Sequence, residues 1–159
     1  KENSKKFEKD KSSSFLVKSS KNDFGLYLNA KKWSFTKAET NEDAEYSFTL
    51  KNEDLYAMMI SEKIKEELTS LADIALENAR AASPDIKLVN TEYRTVNGLK
   101  VLHLQMDGTI QGVAFTYFGY YYSDESGTVQ LITYTSQSLI KDYKTDIEMF
   151  LNGFVNTEL

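Results

Sequence analysis

The ten residues VNGLKVLHLQ, Val96 to Gln105, constrain this chain more than any other stretch. Asn97-Gly98 is the dipeptide that best tolerates the two positive φ values of a type I′ turn, and it separates two alternating runs, Lys87 to Val96 and Leu99 to Met106. That pattern predicts a β-hairpin. With Asn97 and Gly98 as its two loop residues, Val96 faces Leu99 and each pair beyond steps outward by one. Tyr93 then lies opposite Leu102, Thr91 opposite Leu104 and Val89 opposite Met106, all on one apolar face. The other face receives Arg94 opposite Val101, Glu92 opposite His103 and Asn90 opposite Gln105. A slip of one residue would bury Glu92 and expose Leu102 and Leu104, so the alternation itself holds the register.

The strands continue beyond the hairpin. Asp107-Gly108 is a second turn signal leading into Ile110 to Tyr122, which is aromatic on both sides: Phe115, Tyr117 and Tyr121 on one, Phe118, Tyr120 and Tyr122 on the other. A central strand covered on both faces accounts for that composition. Gly112 and Gly119 mark bends or places where an aromatic ring from a neighbouring strand lies over backbone. Ser123 to Gly127 closes another hairpin, and Val129 to Thr135 returns, with the face of Leu131 left open. Upstream, FLVK (Phe15 to Lys18) and FGLYL (Phe24 to Leu28) read as short strands, while Tyr46 to Leu50 and Leu55 to Ile60 form a hairpin around Lys51 to Asp54.

Two amphipathic helices are expected. Ser61 offers an N-cap to a helix whose stripe is Ile64, Leu68, Leu71, Ala75 and Asn78/Ala79, ending before Pro84. Its polar face mixes both charge signs, which favours packing on the sheet over docking on a membrane. Ser136 or Ser138 caps the second, with Leu139, Tyr143, Ile147, Phe150 and Leu151 as its stripe. Gly153 falls at the left-handed C′ position, and Phe154 can fold back on Phe150. The fold class is therefore α+β: an antiparallel meander of about seven or eight strands flanked by two long helices in an α/β/α sandwich.

Length and charge set the outer limits. At 159 residues one core suffices, and 41% hydrophobic and 27% charged residues are those of a globular domain. With no cysteine and one histidine, a disulfide, a thiol nucleophile and a multi-histidine metal site are excluded, and no metal or cofactor is implied. Residues 1 to 21 hold seven lysines against three acids, a charge of +4, which leaves 12 basic and 21 acidic residues, −9, in the rest. An acidic body repels phosphate backbones and argues against nucleic acid. Residues 1–14 (KENSKKFEKDKSSS) read as a disordered polar arm or tether, and residues 15–159 as a single domain. Lys/Ser-rich leaders of this kind often follow a cleaved signal peptide or a lipidated cysteine, so an extracytoplasmic, membrane-tethered location is expected; an ordinary floppy terminus is the alternative. The basic arm could also touch an anionic membrane or partner. The acidic stretch Glu39 to Glu45 lacks the order of a calcium loop and reads as solvated.

FGLYLNAKKW, the hairpin and helix that follow it, VNGLKVLHLQ, the GYYY segment, TVQLITYTS and the closing helix together resemble the PsbP-like superfamily. That group includes the photosystem II extrinsic subunit, a Ran-binding nuclear import factor and bacterial exported proteins similar to DcrB. The resemblance spans roughly residues 15 to 154. It implies an antiparallel sheet flanked by helices and a non-enzymatic binding or assembly role, with no functional residue carried over.

Few constellations could carry chemistry. Glu92 and His103 are the one acid/base pair that the register brings together, and a neighbouring carboxylate would favour the protonated imidazole. No nucleophile accompanies them, and an exposed cross-strand pair is the simpler explanation. Tyr120 and Tyr122, on the same face, could stack a ligand but more simply pack the sheet. Trp33 could line a pocket or anchor the core. Phosphate-loop, dinucleotide and H-E-x-x-H motifs are absent. The leading expectation is a non-catalytic accessory domain holding another protein or a small ligand. Its rivals are a ligand-binding protein or enzyme with a pocket near Glu92, His103 and the tyrosine-rich strand, and a cytoplasmic adaptor.

Overall fold

In the computed structural model, which describes residues 5–38 and 44–158, the Asn97-Gly98 turn joins β7 (Lys87–Val96) to β8 (Leu99–Ile110). Asn97 and Gly98 take φ of 49° and 84°, as a type I′ turn demands. The register matches the sequence expectation from Val96↔Leu99 through Tyr93↔Leu102 and Glu92↔His103 to Asn90↔Gln105. It then shifts. Leu88, and not Val89, faces Met106, because a β-bulge at Val89 inserts an extra residue and turns the exposed edge.

Strand β8 also outruns the Asp107-Gly108 signal. The turn instead uses Gln111 and Gly112 (φ 51° and 82°), and β9 (Val113–Asp124) starts after it. Gly108 stays inside the strand because Ser83 packs against it: a Cβ there would lie 2.1 Å from the Ser83 Oγ. A two-residue loop leads into β10 (Gly127–Ser136), which pairs with β6 (Tyr56–Glu62). Strand β6 pairs with β5 (Tyr46–Leu50), and β5 with β4 (Trp33–Lys37).

At the other edge lies a correction. Within the segment expected to be a disordered arm, Lys5–Phe7 forms β1, which runs parallel to Arg94–Val96. Phe7 supplies the reason, since its ring covers the Arg94 guanidinium at 4.6 Å. The eight-stranded sheet is thus ordered β1-β7-β8-β9-β10-β6-β5-β4, antiparallel except at β1. A second sheet of three strands sets β3 (Phe24–Leu28) between β2 (Phe15–Lys18) and β11 (Phe154–Asn156).

Both helices are shorter than their stripes. Helix α1 is Leu71–Arg80, preceded by a 3-10 turn at Leu68–Ser70. Ser61 caps nothing: it is buried in β6 opposite Val129, and Ile64 is 65% exposed. Extension of β6 along β10 satisfies backbone groups that a helix there would have withdrawn from the sheet. Helix α2 is Ile140–Leu151 after a 3-10 turn at Gln137–Leu139, and neither Ser136 nor Ser138 bonds its N-terminal amides. Gly153 is not left-handed. It is required by close approach, because a Cβ would fall 2.0 Å from the Tyr27 carbonyl oxygen. Phe154 accordingly leads away from the helix and starts β11.

Both faces of the large sheet are covered. Helix α2 and the small sheet close one over Val96, Leu99, Val101, Tyr120 and Leu131; α1 closes the other over Leu102, Leu104, Met106, Tyr121 and Ile132. The alternation of β9 therefore does serve two cores, and Leu131 joins the α2 side. Gly119 makes room for an aromatic ring, but that ring is Tyr121, two residues along the same strand, and not one from a neighbouring strand.

Candidate functional site

The expectation that Glu92 and His103 lie on a polar, open face is corrected by the small sheet and α2. His103 is 4% exposed, with its ring parallel to Phe118 at 6.1 Å and edge-on to Tyr120 at 5.5 Å. Its Nδ1–H donates to the Gly119 carbonyl at 3.0 Å, which fixes the tautomer. Burial, reinforced by the positive charge of Arg94, pushes its pKa below the ordinary imidazole value; Gly119 and the two carboxylates oppose this without reversing it. The imidazole is therefore held neutral, the opposite of what a carboxylate neighbour alone would produce.

Arg94 takes the place at the centre. It is 8% exposed, donates from Nε to Glu92, and reaches the Tyr120 hydroxyl and Glu148 of α2, each at 2.9 Å from Nη1. Burial alone would lower its pKa, but the bonds to Glu92 and Tyr120 and the charge of Glu148 raise it further. It is a permanent cation. The bond from Arg94 in turn holds the Glu92 carboxyl below the usual carboxylate range. Tyr120 completes the cluster by donating to Asn152, and burial pushes its phenol up to about 12. Lys5 stands 3.9 Å from Glu92 at the surface.

The turn residue Asn97 is a junction as well. Its amide nitrogen donates to the carbonyls of Asn152 (2.9 Å) and Phe154 (2.7 Å), and its Oδ1 accepts from the Lys9 backbone at 2.9 Å. The N-terminal strand, the central hairpin and the C-terminal strand meet on one amide. Chain ends separated by more than a hundred residues are thereby fixed against β7.

Of the five candidate binding residues, Glu92, His103 and Tyr120 come together around Arg94. Tyr122 is on the same face but packs edge-on to Phe24 at 5.4 Å and near Phe154 at 5.9 Å. Trp33 is apart from them, 4% exposed and 4.4 Å from the Phe150 ring, a core anchor between β4 and α2. Sequence reasoning placed Arg94 on the right face opposite Val101 but gave it no role. Its partner Glu148 lies more than fifty residues away, as does Asn152, which accepts from Tyr120, and no local pattern announces them.

The acidic stretch divides. Residues 39–43 lie outside the described residues, whereas Glu45 is buried and accepts hydrogen bonds from Ser19 Oγ, Ser20 N and Ser20 Oγ, each at 2.7 Å. Burial would raise its pKa, but these bonds outweigh that and hold it low. Among the described residues no group of three or more His, Cys, Asp or Glu side chains is placed to hold a metal ion, and no helix is long and apolar enough to cross a membrane.

On the opposite face a cleft of about 420 Å³ opens between α1 and the sheet. Its sheet side is Met58, Ile60, Met106, Tyr117 and Ile132, and its helix side is mostly alanine. The tyrosine-rich strand thus does border a pocket, but through Tyr117 and not through Tyr120 or Tyr122.

No family model and no curated protein matches the sequence. Solved structures do match in shape. The solution structure of cyanobacterial PsbP (CyanoP) from Synechocystis sp. PCC 6803 is 14% identical, covers 92% of this chain and 94% of its own, and superposes with a TM-score of 0.68. LpqN of Mycobacterium tuberculosis, involved in cell envelope biogenesis, is 10% identical over 89% of this chain and 88% of its own, with a TM-score of 0.57. PA94 of Pseudomonas aeruginosa, a protein of unknown function, is 11% identical over 89% and 95%, at 0.54. At these identities the likeness establishes the architecture: the chain has the PsbP-like fold.

Proposed function

We propose that this chain is a non-catalytic accessory domain of an exported, membrane-tethered bacterial protein, and that it holds a protein partner along a sheet edge. The observation that carries the first part is the use of Glu92 and His103. Glu92 is committed to Arg94, and His103 is buried, neutral and bonded to backbone, so the pair braces the α2 side of the domain instead of moving protons. Export is supported by LpqN, which shares the fold and takes part in building a cell envelope.

The edge follows from the covered faces. Among the described residues, strand β1 occupies only Arg94–Val96, and the rest of β7 presents Leu88, Val89 and Tyr93, 39%, 47% and 38% exposed, beside backbone that no described strand pairs. Titrating the His103 ring protons by NMR tests the non-catalytic reading. A pKa below 6.5 that survives Glu92→Gln is expected; a raised value that falls in Glu92→Gln would restore the acid/base pair. For the edge, a photo-crosslinking residue at Tyr93 should trap a partner in envelope fractions, and one at exposed Ile64 should not.

A further inference from the structure

From the shape and charge of the cleft beneath α1 we infer a binding site for a single-chain amphiphile with a cationic head. This does not depend on export or on a protein partner, and its failure would leave the accessory reading standing. The volume of about 420 Å³ lies within the roughly 300–1,000 Å³ of small-molecule sites. The space exists because the helix residues turned toward the sheet, Ala75 and Ala79, are too short to fill it.

Met58 and Met106 wall the floor, and their unbranched thioethers re-pack around a chain of variable shape at little cost. An alkyl chain suits this lining, which offers few polar partners. The charges of the lining are of one sign. Glu62 and Glu77 border the cleft; Glu77 shares its charge with Arg80 at 3.3 Å, and Glu62 has no ion pair among the described residues. An anionic head would meet repulsion there and a cationic one attraction, so the charge selects the ligand class.

The probe is dodecyltrimethylammonium below its micelle concentration, with methyl resonances of Met58 and Met106 as the readout. Saturable shifts of both methyls are expected, about fivefold tighter than for a neutral dodecyl glycoside, the advantage of one exposed ion contact. Ala79→Leu, which fills the cleft from the helix, should weaken binding about tenfold or more. Glu62→Gln should remove the preference for the cation while leaving the neutral glycoside unchanged. Absence of saturable shifts, equal or tighter binding of dodecyl sulfate, or indifference to Ala79→Leu would each overturn the assignment. Glu62 is at the surface, so its variant stays informative if Ala79→Leu fails to fold.

Discussion

The α2 face and the α1 face of the large sheet grow from the same strands, yet they are closed in different ways. Under α2 the closure is dense and partly polar: Trp33, Phe48 and Phe150 interlock, Tyr122 meets Phe24 and Phe154, and Arg94 links β7, β9 and the helix. Under α1 a ten-residue helix with alanine on its inner side leaves a cleft. Alternation makes such a division possible, because consecutive residues of one strand serve two cores that need not be equally full. One face holds the fold together, and the other has room to spare.

Removing Arg94 should break that contrast most strongly. Arg94→Ala withdraws the cation from two carboxylates and a phenol and takes the support from Phe7, with an expected loss of about 3 kcal/mol by urea unfolding. This is the low end for a broken buried ion pair, since Glu92 and Glu148 keep some contact with water. A loss below about 1 kcal/mol would show that the cluster is ornamental to stability.

Matched insertions on the two faces sharpen the comparison at smaller cost. Gly153→Ala forces a methyl toward the Tyr27 carbonyl in the crowded α2 layer, and about 1–3 kcal/mol should be lost. Ala79→Leu adds three carbons on the α1 side and should change stability by less than about 1 kcal/mol, because there is space for them. Equal penalties in thermal unfolding would mean that the cleft closes in solution.

Why the two faces could be assigned but not weighed is visible in particular residues. Asn97-Gly98 and seven clean alternations place Leu102 on one side and His103 on the other, since turn chemistry and period are local properties. What covers each side is not local. Nothing in β7 or β8 reveals that α2 and the small sheet close the face on which His103 lies. Asp107-Gly108 carried the turn signal more strongly than Gln111-Gly112, but Ser83 needed a glycine beside it and the strand ran on. Ile64 matched the helical stripe by coincidence, whereas Leu68 opens the 3-10 turn and packs with Leu71 and Ala75; pairing with β10 decided the fate of Ser61 and Glu62. The PsbP-like architecture itself was legible from the order of elements; the cleft was not, because it is made of what alanine side chains lack.

The smallest effect concerns pH and distinguishes the faces by titration. The folded pKa of His103 is depressed, so the unfolded chain binds the proton more readily. Its contribution to stability is therefore fully present above the unfolded value near 6.5 and is lost as pH falls through the folded one. The slope cannot exceed about 1.4 kcal/mol per pH unit for one proton. Because the cause is burial beneath α2, opening that side should erase the dependence: in Arg94→Ala, denaturant midpoints ought to vary less between pH 7 and 6 than in the parent. Ala79→Leu acts on the far face and should leave the parent slope intact. If instead the α1 variant flattened the slope, the two faces would be coupled through the sheet, and the division drawn between a bracing face and a receptive one would fail.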